Sequence, residues 1–504
     1  MAGRLAASNL TTPNAATSVY RCRTTGYAVV SVNICNRGAG PANITIIVSD
    51  TANISDLAGT IEFQTTVNSK DVLERTGIAI SSAQYITIIS SSADVSVVVM
   101  GAELGTVDAS ISEIPIIIGT LTRTLINTQA KISGGNYFGS AVSLYGDNLI
   151  VGAKGNNVNG DKNGQAMIYN VISGQLLHTL SFPGSDANNT FFGESVGIGE
   201  TYAIVGSGSA DEGSDTFAGS VYIYNVASGV LEHTIASPTT YGTNNDVFGE
   251  AVAIDGNYAV AGAKFEDDAS NANTGIAYII NASTGAVAHT LANPVSGANA
   301  YFGKSVAVSG TNVVVGANGY TAGAVYIFSA TTGSLIRTIS NPQGASNNHE
   351  FGYSVAIDGN YLVVGAPLED VSGVANTGRA YVFNVTSGVL VHTLENPNVY
   401  GTGEADEYGH AVAISGDRLI VSSYKEDDAG GTSSGAAYVY SVSTGTLLKT
   451  LTNPNQVGTS ENDFFGWSCA INSNRMAIGA MGENEDLAPY YSADHGRTYV
   501  FGVS

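Results

Sequence analysis

The residues best equipped for chemistry sit in short acidic clusters and in scattered tyrosines. Glu266, Asp267 and Asp268 stand together, as do Glu426, Asp427 and Asp428, with Glu369-Asp370 between them in the chain. Clustered carboxylates supply the hard oxygen donors that Ca²⁺ takes, so the two triplets are candidate calcium ligands. The alternative is solvated negative charge. Tyr241, Tyr301, Tyr400, Tyr408, Tyr490 and Tyr491 lie in polar stretches beside acids and asparagines. There a ring can stack on a sugar while neighbouring oxygens bond its hydroxyls; the alternative is loop packing. A third set is basic: Arg123, His178, His233, His289, Arg337, His392 and Lys449 each precede a threonine. Four histidines at repeat spacing suggest a metal or a pH switch, whereas charge on exposed strand edges is ordinary protection against edge-to-edge pairing. No Gly-x-Ser-x-Gly elbow at a strand–helix junction, His-Glu-x-x-His or Cys-x-x-Cys occurs, and His349-Glu350 is isolated. The chain therefore reads as a non-enzyme that requires no cofactor, with calcium the one candidate ion.

The elements that must position these residues are repeats. An aromatic–glycine pair recurs at Phe138, Phe192, Phe248, Phe302, Phe351, Tyr408 and Phe465, spaced by 54, 56, 54, 49, 57 and 57 residues. Each unit holds four strand-like runs rich in β-branched and aromatic residues. In the fifth these are YSVAI, YLVVGA, GRAYVFNV and VLVHTL. An Asp-Gly or Ser-Gly pair between the first two runs predicts a tight hairpin. Seven units of four antiparallel strands predict a seven-bladed β-propeller. The seventh unit ends after its third run, and the missing fourth pattern appears ahead of the first unit as GTLTRTLIN. Residues 119–127 are thus expected to complete the last blade as a clasp. Antiparallel order places every long, variable loop on one face and every short turn on the other; the acids concentrate in the long loops.

Residues 1–105 show no helical periodicity. Short strands separated by turn signals predict an all-β, sandwich-like domain, and 106–118 read as a linker. Net charge is −23; −3 falls before residue 116 and −20 after it. The larger part should repel nucleic acid and anionic lipid. No run of 18 apolar residues predicts a membrane span, and MAGRLAASNLTTPN lacks the apolar core of a secretory signal. Three cysteines, Cys22, Cys35 and Cys469, argue against a disulfide framework and for buried free thiols.

The repeats, with FG and VVGAP, resemble the FG-GAP repeats of integrin α-subunit propellers and their bacterial relatives. In that family an acid-rich calcium loop precedes the VGAP strand. Here the place holds only a tight turn (Asp255-Gly256, Ser309-Gly310, Asp358-Gly359, Ser415-Gly416), so that calcium site does not carry over. The N-terminal stretch, through VNICNRG (32–38) and VLERTGI (72–78), resembles small β-domains of tailed-bacteriophage structural proteins. That resemblance implies a virion component docked on other virion proteins through its N-terminal domain and present in several copies. Its propeller would project as a capsid decoration or tail or neck fibre module and bind host surface glycans. A calcium-dependent bacterial surface adhesin and a polysaccharide-degrading propeller enzyme remain as alternatives.

Overall fold

The computed structural model describes residues 2–10, 16–21, 27–37, 39–49, 61–68, 72–81, 85–91 and 95–104 of a first unit, Met1–Ile116. Of a second unit, Ile117–Ser504, it describes 118–127, 135–156, 163–184, 190–211, 216–238, 245–295, 297–319, 323–344, 349–397, 405–427, 432–454, 462–483 and 495–503.

The first unit contains two four-stranded antiparallel sheets. One runs Ala2–Leu10, Val95–Leu104, Tyr27–Asn36, Val72–Ser81; the other runs Ala16–Arg21, Tyr85–Ser90, Ala42–Ser49, Ile61–Val67. Alternate residues are buried, Val32 and Ile34 in one sheet and Ile44, Ile46, Ile86 and Ile88 in the other. That is the period-2 signature of a sheet with one covered face.

The second unit consists of seven four-stranded antiparallel sheets, a seven-bladed β-propeller. In the fifth blade the strands are Ser354–Asp358, Tyr361–Ala366, Arg379–Asn384 and Leu390–Glu395, from axis to rim. The middle two are buried on both faces, which is why they read as nearly continuous apolar runs. The rim strand buries chiefly Leu394 and exposes its other face. In the last blade, Phe465–Ile471, Arg475–Ala480 and Arg497–Gly502 are joined at the rim by Leu121–Ile126, paired antiparallel with Arg497–Gly502.

The core lies between blades. One cluster sets Val363 and Val382 of the fifth blade against Leu419 and Tyr438 of the sixth. Another sets Ala470, Ala477 and Val500 of the last blade against Val142, Leu149 and Met167 of the first. Cys35 and Cys469 are free thiols, and burial pushes Cys469 up to about 12. Cys22 lies outside the described residues.

The repeated motif is explained by these interfaces. The aromatic of each aromatic–glycine pair is fully buried, and its glycine has φ between 88° and 97°, a left-handed conformation that disfavours any Cβ. Its backbone docks on the preceding blade: Phe192 N–H donates to Asn163 O, Phe248 to Ala218 O, Phe302 to Thr274 O, and Phe138 to His495 O. Where a serine follows two positions later, its hydroxyl donates to the next blade's glycine carbonyl. Ser195 reaches Gly249 O at 2.6 Å, Ser305 Gly352 O and Ser354 Gly409 O at 2.8 Å, and Ser468 Gly139 O at 2.7 Å. The glycine of VGA leaves room for that carbonyl: a Cβ on Gly152, Gly206, Gly262, Gly316, Gly365 or Gly479 would collide with it.

Candidate functional site

The basic residues before threonine lie on the rim strands, as their spacing implies, but they do more than guard an edge. His178 Nε2 lies 3.2 Å from Ala227 O, His289 Nε2 3.1 Å from Thr331 O, His392 Nε2 3.0 Å from Val442 O, and Arg337 Nη2 donates to Thr386 O at 2.6 Å. Every acceptor belongs to the short outer turn of the next blade. Arg123 does the same to Val171 O and Ile172 O. Each basic side chain also packs on that turn's left-handed glycine. Arg123 meets Gly174, His178 Gly229, His233 Gly285, His289 Gly333, Arg337 Gly388, His392 Gly445 and Lys449 Gly119, once around the whole ring. Beyond their place on the rim strands, these residues are stitches between blades. The inner turns are stitched too. Asp255 accepts from Gly310 N–H and Asp358 from Gly416 N–H, both at 2.7 Å, so Asp358 does more than close its own hairpin.

The acidic triplets do not converge. Glu266 is buried, and the Tyr278 hydroxyl lies 2.8 and 3.0 Å from its two oxygens. Glu369 receives Tyr381 and Glu483 receives Tyr499 in the same way. Glu426 occupies the equivalent place, accepting from Asn396 at 3.0 Å. The second acid braces its loop: Asp267 accepts from Asn273 N–H, Asp370 from Asn376 N–H and Asp427 from Ser433 N–H, at 2.8, 3.0 and 2.8 Å. All three donors are left-handed residues. Asp268 accepts from Ser270 and Asn271 N–H at 2.7 Å; Asp428 lies outside the described residues. Each described acid of the triplets is thus engaged in a different local bond, and the described acids are not brought together around one point. Among the described residues, no group of three or more His, Cys, Asp or Glu is placed to hold a metal ion.

The tyrosine set is also dispersed. Tyr408 is 0% exposed and its hydroxyl donates to Tyr440 at 2.8 Å; it is the core aromatic of its blade and offers no face to a ligand. Tyr301 is half-buried against Phe265, with ring centres 5.6 Å apart. Tyr241, Tyr400, Tyr490 and Tyr491 lie outside the described residues.

Another group converges where the repeats disagree. The residue after each aromatic–glycine pair is Ser140, Glu194, Glu250, Lys304, Tyr353, His410 or Trp467. It begins the innermost strand at the long-loop face. Together with Lys154, all of these side chains but Ser140 interact in succession around the axis. Lys154 Nζ lies 5.8 Å over the Trp467 ring, and Lys304 Nζ 4.6 Å over Tyr353. His410 contacts Tyr353 and Trp467 at 5.2 and 4.8 Å. Glu250 holds Lys264 at 2.6 Å and Lys304 at 3.4 Å, and Lys425 pairs with Glu407 at 2.5 Å. Four of the seven lysines after residue 117, and the single tryptophan of the chain, meet here. Below the ring, small residues such as Ser143, Gly197, Ala253 and Ala356 line an axial channel of about 250 Å³.

The electrostatics are those of a partly desolvated polar cup. Burial, and then neighbouring Glu250, push the Glu194 carboxyl up to about 7, against the opposing Gly208 N–H bond. Burial would raise Glu250 as well, but Lys304 and Lys264 outweigh it and hold the carboxyl below its ordinary range. Burial, with Lys304, Lys425 and Lys154 around it, pushes His410 down to about 3, so its imidazole is neutral. Charge, neutral hydrogen-bonding groups and stacked rings within one cup suit non-covalent recognition of a small polar ligand. This ring was hidden in the sequence, because each blade contributes one variable residue; the sole signal was disagreement at a fixed place in an otherwise shared motif.

Comparison with known proteins agrees with the repeat reading. The FG-GAP repeat family matches residues 130–169, 241–280, 289–328, 341–383 and 401–440. No curated protein matches the chain. Among solved structures, the chain is similar to that of U3-55K, at 13% identity and a TM-score of 0.47, over 76% of this chain and 98% of that one. The second unit is a seven-bladed β-propeller that carries FG-GAP repeats.

Proposed function

We propose that the chain is a non-enzymatic recognition module of a bacteriophage particle. In this reading the two N-terminal sheets form a sandwich that docks on other virion proteins, several copies share a particle, and the propeller binds host surface glycans. The strand at 121–126 acts as the clasp that completes the ring. The observation that carries recognition is the axial cup, where six of seven otherwise similar blades place a charged or aromatic side chain around one mouth. The resemblance of residues 32–38 and 72–78 to phage structural domains supports the particle. Multiple weak contacts from copies on one particle would add by avidity.

Two measurements test the reading. Mass spectrometry of purified virions is expected to find the chain in stoichiometric amounts; its absence would remove the particle assignment. A glycan array probed with the full chain is expected to show binding that Trp467→Ala abolishes. Binding unaffected by that change would remove the cup.

A further inference from the structure

We propose that the cavity between the last, first and second blades, at the edge of the axial ring, is a subsite for one carboxylate-bearing sugar ring of hexuronic-acid size. The inference rests on the recognition reading above and names the chemistry of the glycan residue that the cup takes. The cavity has a volume of about 570 Å³, within the range of roughly 300–1,000 Å³ usual for small-molecule sites. Its walls are Tyr137, Phe191 and Phe464, and its polar groups are Lys154, Glu194 and Ser209.

Three observations select the ligand class. The aromatics come from one equivalent position, the left-handed residue just before each aromatic–glycine pair, with φ of 53°, 52° and 56°. The other blades carry Val247, Tyr301, Glu350 and Glu407 there, so these three are the only consecutive blades to present three rings. Tyr137 and Phe191 make no ring contact with another described aromatic, which leaves ring surface for the C–H face of a pyranose. Glycines give two of the rings their room: a Cβ on Gly155 would come within 2.6 Å of the Tyr137 ring, and one on Gly482 within 2.8 Å of Phe464.

Lys154 differs from the other lysines of the cup. Lys264, Lys304 and Lys425 each have a glutamate within 2.5 to 3.4 Å. Lys154 makes no close ion pair with any described residue: its ammonium lies over Trp467 and acts on the Glu194 carboxyl only at longer range. A ligand carboxylate would supply a direct, hydrogen-bonded charge partner. Among the described residues, Glu194 accepts from Gly208 N–H through Oε1, and Oε2 is the oxygen proposed for a ligand hydroxyl. The Ser209 hydroxyl adds a group that donates or accepts. A carboxylate on a hydroxylated ring engages all of these groups; a neutral sugar leaves Lys154 without a direct charge contact, and a planar aromatic acid leaves Glu194 and Ser209 unused. The net charge of −20 after residue 116 disfavours a long polyanion and points to isolated acidic residues within a mainly neutral glycan.

Trp467 is the only tryptophan of the chain, so its emission reports on the cup alone. The full-length protein is titrated with D-glucuronate, its methyl ester, D-glucose and benzoate, with saturation-transfer NMR in parallel. Glucuronate is expected to change the emission saturably in the millimolar range. The ester, glucose and benzoate should each be weaker by about tenfold or more, the equivalent of one charge-assisted contact. Lys154→Met, shown by its melting curve to be folded, should lose the preference for glucuronate over its ester. Equal response to acid and ester, stronger binding of benzoate, or no response by either readout up to about 50 mM would each overturn the proposal. The acid-against-ester comparison needs no variant, so a misfolded Lys154→Met leaves the test intact. Failure here alongside array binding to neutral glycans sinks the acid subsite and leaves the recognition reading standing. Failure of the array and of virion localisation sinks that reading instead.

Discussion

Glu369 is wholly buried, yet it accepts two contacts from Tyr381 and pairs with Arg379 at 2.5 Å. Removing the cation leaves a buried charge with less compensation, so Arg379→Met should destabilise the propeller by about 3 kcal/mol in denaturant unfolding. Tyr381→Phe should cost less, about 2 kcal/mol, because the ion pair survives. Glu194 sets a pH dependence. Its folded pKa of about 7 lies above the ordinary carboxyl value of 4.5, so the folded state holds the proton more tightly. That contribution is complete below about pH 4.5 and is lost as pH rises through about 7. Glu194→Gln should therefore raise the melting temperature by about 2 °C at pH 8 and change it less at pH 5. The Glu–Tyr pairs had a sequence trace that the acidic reading passed over. Glu266 and Tyr278, Glu369 and Tyr381, and Glu426 and Tyr438 are each twelve residues apart, and each glutamate opens a loop just past a buried strand. Composition marks such a residue as solvated; only its position relative to the strand end marks it as buried.

At the scale of strands and turns, two classes of glycine look alike in sequence and differ in energy. Gly256 in the inner Asp-Gly turn has φ of +55° with open space around it, whereas Gly285 in the outer turn has φ of +68° and a Cβ there would sit 2.7 Å from the His233 ring. Gly256→Ala should cost about 1 kcal/mol, the left-handed penalty alone. Gly285→Ala should cost about 2 kcal/mol more by chemical denaturation, since the neighbouring blade must also shift. The strands and inner hairpins were legible because alternation, β-branched runs and Asp-Gly pairs are local signals. The stitching was not, because its partners lie in successive repeats, 49 residues apart for His178 and Ala227 and 50 for His392 and Val442. Periodicity reveals that a basic residue recurs; it does not reveal which repeat it touches.

At the scale of the molecule, the count of blades could be read from seven aromatic–glycine pairs, whereas the cup could not, since averaging the repeats erases the positions at which they differ. Leu121–Ile126 is the rim strand of the last blade. A chain beginning at residue 128 should melt roughly 10 °C below one beginning at residue 118 and should aggregate through the uncovered strand edge, as differential scanning calorimetry and light scattering would show. The contacts that join the blades repeat in the same sense at each seam: the serine of one blade donates to the glycine carbonyl of the next, the basic residue of one rim strand reaches the following turn, and the aromatic's backbone N–H donates back to the preceding blade. Such an interface is heterologous, and it terminates only because the seventh blade meets the first, through Ser468 to Gly139 O and Arg123 to the turn at Val171–Ile172. Closure therefore separates a monomer from a polymer. A ring held open at that seam would carry two unlike, mutually complementary ends, and chains so opened would add head to tail without limit.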